Sequence, residues 1–473
     1  MAGRFLSLFG PLSRFMPEIG SPTRKVSFNE KLFWSAIALI IYLVMSEVAL
    51  FNVSSGVGIN FEATRIIFAS NRGTLTELGI GPIVTGGLIL QLLIGSNLIQ
   101  ADLGNPEDRA LFTAATKVFS ILLTGVQAVA YLLGGVYGAL DATTIGVIFV
   151  QLLVAGIVLM LLDEMMQKGW GIGSGISLFI LAGVAKGIMW DSFGISPAVA
   201  DGHNYGAFIA LAEIVMNGQP ITDAFFRIDS STGLLSTLPS MIGVFTTIIV
   251  FIIVIYMQGV RIELPISHAN YRGFRGKYPI KLLYVSNLPV IFASALFANI
   301  YVFAQLLQSQ FPGNFFINLL GTFGGSNGAP DGGLAYYVTS PQSIGQVAAD
   351  PIRALAFLAI MVGFSVVFSI TWLEVGGLGP GTVAQQLVDS GMQIPGFRRS
   401  GKSIEMILKR YIPVVTILGG AIIGILAAVS GFFGVFGTGT GILLAVGILY
   451  QYYELLVQEQ VSEMYPAFSR VLG

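Results

Sequence analysis

The sequence has no cysteine, only two histidines (His203 and His268, far apart), and charge on just 10% of its 473 residues. Without cysteine there is no disulfide, no thiolate nucleophile and no cysteine metal ligand, and two distant histidines make a poor metal cluster. The shortage of charge excludes more. Soluble chains carry about a quarter charged residues, whereas here 54% of residues are hydrophobic and the mean hydropathy is +0.80. The chain reads as an integral membrane protein. A net charge of −1 excludes bulk attraction to nucleic acid but not local clusters of charge.

What is present is a series of apolar runs. A spanning helix needs about 20 mostly apolar residues, and ten runs of that kind lie near 33–51, 79–100, 112–138, 144–162, 171–190, 240–258, 282–305, 354–373, 411–431 and 439–457. Ten crossings put both termini on one side. That side collects 19 of the 24 basic residues, which makes it cytoplasmic by the bias of Lys and Arg toward cytoplasmic loops. Residues 1–31 form a cytoplasmic N-terminus whose apolar opening is cut short by Pro11 and Arg14; it reads as an interfacial amphipathic helix rather than a signal peptide. Five spans (32–190) precede a long outer loop (191–239), and five follow it (240–457), with a cytoplasmic tail at 458–473. An odd number of spans per half makes two such halves an inverted repeat. After the first span, residues 55–70 carry Ile59, Ala63, Ile66 and Ile67 at helical spacing in a helix too short to cross. Cytoplasmic loops 259–281 and 376–410 are long, basic and interrupted by glycine and proline, suited to an anionic partner.

Motifs of catalysis do not find their context. Gly396 to Ser403 matches G-x-x-x-x-G-K-S letter for letter, but Gly391 and Pro395 precede it where a buried strand would be required. Ser174 lacks the outer glycines of a hydrolase elbow, because Ile172 and Ile176 stand there. Charge is also missing from the middle of the spans: Glu47, Asp163, Glu164, Lys186, Glu374 and Glu454 fall toward span ends. An ion-coupled solute transporter, the alternative reading, keeps ionisable groups or broken-helix ion sites near the bilayer midplane. The polar residues at depth are neutral, namely Thr85, Gln91, Gln127, Gln151 and Asn287. Taken singly, such residues serve as hydrogen-bonding glue between helices.

"ASNRGTLTELGIGPIVTGG" (69–87), "PEDRALF" (106–112), "LLDEMMQKGWGIGSGISLFI" (161–180), "GKYPIKLLYVSNLPVIFASALFANI" (276–300) and "KRYIPVVTILGG" (409–420) are long, ordered stretches. In order and spacing they resemble the archaeal SecY and eukaryotic Sec alpha-subunit family over nearly the whole chain. The resemblance is weakest at 191–239 and 306–350.

The resemblance implies an all-α polytopic membrane protein: ten transmembrane helices in two inverted five-helix halves around a central pore, with a short plug helix. It implies a protein-conducting channel that passes secretory polypeptides and releases membrane-protein helices sideways into lipid, without catalysis or cofactor. The matching pore-ring positions are Ile80, Val84, Ile176, Ile180, Ile291 and Leu444, all aliphatic. The plug positions are Ile59, Ala63, Ile66 and Ile67, and those of the lateral gate are Thr85, Gln127 and Asn287. Arg272, Arg275, Lys277, Arg398, Arg399 and Lys402 match a ribosome-docking face. Expected partners are the small membrane subunits of SecE/gamma and beta type, the ribosome, signal sequences with their nascent chains, and the lipid bilayer. An archaeal plasma membrane is the expected location, with the endoplasmic reticulum as the alternative.

From the residues themselves, Ile80/Val84 and Ile176/Ile180 are each four apart and project from one helix face. In "GIGSGISLFI" (171–180) the glycines at 171, 173 and 175 are expected to let backbones approach closely. The isoleucines supply a seal that needs no reactive group.

Overall fold

The computed structural model describes residues 9, 11, 16–53, 69–95, 98–99, 106–134, 136–138, 140–196, 201–228, 238–268, 275–285, 288–323, 330–393 and 401–464. Ten apolar helices follow one another: α1 (Phe28–Glu47), α2 (Gly81–Gly95), α3 (Pro106–Leu133), α4 (Ala142–Gln167), α5 (Gly175–Phe193), α6 (Met241–Gly259), α7 (Leu288–Gln310), α8 (Pro351–Val375), α9 (Gly401–Phe432) and α10 (Gly439–Met464). Among the described residues nine of these are long and apolar enough to cross a membrane, and α2 is shorter.

Local chemistry sets where several of them start. Ser27 caps α1 in a reciprocal box with Glu30, Ser240 caps α6 by accepting from Gly243 N, and Asp350 caps α8 with Pro351 in its first turn. Between helices, small residues let backbones meet. A Cβ on Gly420 of α9 would lie 2.3 Å from Ser369 Oγ of α8, and one on Gly424 would lie 2.9 Å from Val362 Cα. These two glycines, four apart, are the close-approach device of membrane helix pairs.

The apolar interior has two parts. One gathers buried residues of α1 to α5, with Tyr301 and Leu306 of α7 and Leu444 of α10. The other gathers α6 to α10, with Leu88 of α2. The two parts of the chain before and after the outer loop therefore each have a core, and α2, α7 and α10 join them.

The basic stretches read as loops contain strands. β1 (Arg261–His268) and β2 (Arg275–Lys281) pair antiparallel, in register from Arg261 opposite Lys281 to Ser267 opposite Arg275. A strand described over Met392–Gln393, β3, joins the other side of β1 at Ser267 and His268, giving the order β2-β1-β3. Pro265 and Pro279 argue against strands in the sequence, since proline cannot donate to a ladder. The all-α expectation thus has one exception, a three-stranded sheet at the end of the helix bundle. In addition, α9 begins at Gly401 rather than near 411, with Pro413 inside it, so Lys402 and Lys409 lie on a helix and not in a loop. Leu264, Ile280, Val383, Ile404 and Leu408 pack the sheet, the helix Pro380–Asp389 and the start of α9 into a third apolar cluster.

Candidate pore, plug, gate and docking surfaces

The turn between α4 and α5 shows what the glycines do. Gly169 and Gly173 have φ of +97° and +71°, a left-handed conformation that side chains disfavour. A Cβ on Gly171 would meet Met166 Cγ at 2.9 Å, and one on Gly175 would meet Asp163 Cα at 2.7 Å. The turn is therefore folded tightly on α4, and Ile172 N donates to Ser35 Oγ of α1 at 2.9 Å. This anchoring fixes where α5 starts and how it is rotated.

From that start, Ile176 and Ile180 join Ile80, Val84, Ile291 and Leu444 in one apolar cluster. Ile80, Ile180 and Leu444 are completely buried and Val84 is 7% exposed, whereas Ile176 and Ile291 are half-buried against the cluster. Ile80 itself precedes α2, and its carbonyl accepts from Val84 N at 3.0 Å, which begins the helix and sets the pair on one face. Toward the end of the molecule where α1 stops and α6 starts lies a cavity of about 960 Å³, bordered by Ser46, Asn71, Arg72, Lys186 and Ser240. Its rim is tied together by the ion pair of Lys186 with Glu47 and by Gly437 N donating to Asp191 at 3.1 Å.

Ile59, Ala63, Ile66 and Ile67 lie outside the described residues, but the stem of their segment does not. Ala49 pairs with Thr74, Leu50 N donates to Gly73 O at 2.8 Å, and Leu75 N donates to Val48 O at 3.0 Å. Asn71 reaches back to Ser46 O at 2.5 Å, and the Glu77 carboxylate accepts from Gly73 N. The stretches on either side of the segment are thus zipped together beside the end of α1. On the returning side, Ala69 accepts a bond from the Tyr42 hydroxyl at 3.0 Å. Ala69 also packs against Gly183 of α5, where an added Cβ would sit 3.6 Å from Ala69 Cα.

At the seam between α2, α3 and α7, the structure brings together Thr85 and Gln127 through a residue that sequence reasoning missed. Asn299 of α7 donates to Thr85 Oγ1 at 3.2 Å and accepts from Gln127 Nε2 at 3.5 Å, and its amide is also held by Ala295 O at 2.8 Å. Asn287 lies outside the described residues, immediately before α7 begins at Leu288. Both asparagines fall inside the apolar run read at 282–305. Asn299 lies mid-helix, where an unpartnered amide in hydrocarbon is costly.

The opposite end of the bundle is crowded with paired charge. Lys117 and Lys168 share Glu164 at 2.5 and 2.8 Å, Lys31 of α1 meets Glu459 of α10 at 2.5 Å, and Lys281 meets Glu454 at 2.7 Å. Glu18 is held below the usual carboxylate range by its hydrogen bond to Lys168, helped by Lys117. On the hairpin, Lys277 is exposed and bonds Glu263 at 2.5 Å, which holds the Glu263 carboxyl low. Lys402 is exposed on the first turn of α9, and Arg275 opens β2 opposite Ser267. Arg272, Arg398 and Arg399 lie outside the described residues.

A family model described as SecY matches residues 74–453, and one described as the plug domain of Sec61p matches residues 40–73. The chain belongs to the SecY family. A solved structure described as a protein conducting channel is 38% identical with a TM-score of 0.82, over 97% of this chain and 98% of its own. Sec61 in the canine ribosome-channel complex from the endoplasmic reticulum is 37% identical with a TM-score of 0.79, over the same shares of the two chains. The yeast Ssh1 complex bound to the yeast 80S ribosome contains a chain 26% identical with a TM-score of 0.78, over 96% of this chain and 94% of that one. As a SecY-family member the chain is a multi-pass membrane protein of a channel fold, and the paired residues 73–75 fall across the junction of the plug and SecY matches.

Proposed function

We propose that this chain is the pore-forming subunit of a Sec translocon: it conducts secretory polypeptides through a central pore and releases apolar helices sideways into lipid. One observation carries the reading. Six aliphatic side chains from four helices and the turn before α2 gather in one apolar cluster, four of them buried and Ile176 and Ile291 half-buried against it, and the molecule also holds a cavity of about 960 Å³. A channel for arbitrary polypeptides cannot seal by specific hydrogen bonds, whereas apolar side chains can close by excluding water and part around a chain. A solute transporter is not favoured, because the full-length relatives at 37 to 38% identity are channels for protein.

In this reading Ile80, Val84, Ile176, Ile180, Ile291 and Leu444 are the ring. Ile59, Ala63, Ile66 and Ile67 belong to the plug that blocks the pore from the cavity side. Thr85, Gln127 and Asn287 belong to the lateral gate, and Asn299, which links Thr85 to Gln127, joins them there. Hydrogen bonds between membrane helices contribute about 0.6 to 2 kcal/mol each, enough to favour a shut seam and little enough for a signal helix to displace. Arg272, Arg275, Lys277, Arg398, Arg399 and Lys402 meet the ribosome, small subunits of the SecE/gamma and beta types brace the bundle, and both termini are cytoplasmic in an archaeal plasma membrane.

The test reconstitutes the chain with its small subunits in liposomes and presents ribosomes bearing a secretory nascent chain. The nascent chain should become protected from protease inside the vesicle. Uptake of small solutes without protection of the polypeptide would overturn the reading.

A further inference from the structure

The ring as described does not use Asp163, a carboxylate one turn before the end of α4 and only 7% exposed. Its neighbours give it a task. The first N–H groups of a helix have no partner within the helix and are ordinarily met by the side chain of the capping residue. Ser174 occupies the cap of α5 but makes no such bond. Its hydroxyl instead donates to Asp163 Oδ1 at 3.1 Å, and the same oxygen accepts the N–H of Ile176 at 3.1 Å. The other oxygen is held by Gln167 Nε2 at 2.7 Å, which fixes the carboxylate's rotation. The cap of α5 is thus supplied by a different helix, with a carboxyl oxygen at the positive end of the α5 dipole. Gly175 permits the approach, and Tyr452 of α10 grips the Ser174 carbonyl from the other side at 2.9 Å.

We propose that Asp163 is a positioning residue of the pore: it pins the first turn of α5, and so sets Ile176 and Ile180 at the place where the ring closes. The proposal rests on the reading of those two isoleucines as ring residues. Ile176 is at once the residue whose N–H is bound and a residue of the ring, so losing the bond frees that side chain directly. Ile180, one helical turn on, moves with it.

The measurement is ion conductance of the idle full chain reconstituted in planar bilayers, with thermal unfolding in detergent as the check on folding. Asp163→Ala should raise the leak severalfold. Asp163→Asn should raise it less, because the amide oxygen still accepts from the two donors. In a channel already carrying Ile176→Ser and Ile180→Ser, Asp163→Ala should add little, since it acts through the ring it can no longer position. A general loosening of the fold would instead multiply the leak by the same factor in both backgrounds, and that result overturns the proposal, as would wild-type leak in both Asp163 variants. If the serine pair leaks and the Asp163 variants do not, only the positioning role fails. If the serine pair itself stays tight, the ring reading fails and the proposal with it. Should Asp163→Ala not fold, Asp163→Asn goes through the same cycle.

Discussion

A seal made by excluding water depends on apolar bulk more than on shape. Leucine at Ile176 and Ile180 should therefore leave the idle conductance close to wild type, whereas serine at both should hydrate the constriction and raise it clearly. Polar substitution anywhere in a membrane helix can loosen packing, so the comparison needs a matched pair outside the ring. Val150 and Val154 of α4 have the same spacing and are 56% and 51% exposed, facing away from the core. Serine there should leave conductance unchanged, and equal leak from both pairs would remove the ring assignment. At the gate, Asn299→Ala deletes the link between Thr85 and Gln127. Losing about 1 kcal/mol of closed-state stabilisation shifts the open fraction roughly fivefold, so less hydrophobic segments should insert when a graded series of signal helices is presented; an unmoved threshold in a folded channel removes Asn299 from the gate. Residues of these two kinds differed in how visible they were. The i, i+4 pairs could be read because helical spacing is local, whereas Asn299 could not, because its bonds to Thr85 and Gln127 join three helices far apart in sequence.

Helices could be read from the sequence to the extent that the bilayer dictates their length. The hydrocarbon thickness forces runs of apolar residues, and the ten runs correspond in order to α1 to α10. Outside the bilayer that constraint ends, and the reading weakened where local rules conflict with packing. Pro265 and Pro279 hid the β1–β2 hairpin, and Pro413 hid the stretch of α9 from Gly401, which is held by Ile404, Leu408 and Ile412 packing into the apolar cluster beneath the sheet. The plug stem was likewise illegible, since its bonds join Ala49 to Thr74 and Tyr42 to Ala69 across the loop they close. That stem makes a prediction about α5 as an element. An added Cβ on Gly183 would lie 3.5 Å from the Tyr42 hydroxyl and 3.6 Å from Ala69 Cα, ordinary contact distances. Gly183→Ala should therefore be nearly silent, while Gly183→Leu should push the returning end of the plug segment off α5 and produce frequent openings in single-channel recordings. Quiet recordings from the leucine variant would mean that Ala69 does not couple the plug segment to the ring helix.

Across the whole molecule the two ends of the bundle are built for different neighbours. The cavity end carries few basic residues, and Lys186 there is neutralised by Glu47. The hairpin end holds Lys31, Lys117, Lys168, Lys277 and Lys281, each sharing its charge with a glutamate at 2.5 to 2.8 Å. Local pairing of that kind brings α1, α3, α4, α10 and the hairpin together but leaves little charge to spend on a partner. If the proposed docking face is right, Lys277, whose charge Glu263 shares, is expected to contribute less to it than Arg272, Arg275, Arg398 and Arg399. Clustered arginines suit the phosphates of ribosomal RNA, and each neutralised phosphate releases counterions, so binding weakens as salt rises. Reversing these four arginines to glutamate should lower ribosome affinity and flatten the plot of log affinity against log salt by about one unit for each phosphate no longer neutralised. Exchanging Lys186 and Glu47 alters charge at the far end and should change neither quantity. Because the same arginines can orient the chain in the membrane, orientation must be read in parallel from protease accessibility of the termini. Reduced affinity with an unchanged salt slope would point to a disturbed hairpin fold, and unchanged affinity at correct orientation would leave these arginines only the task of orienting the chain.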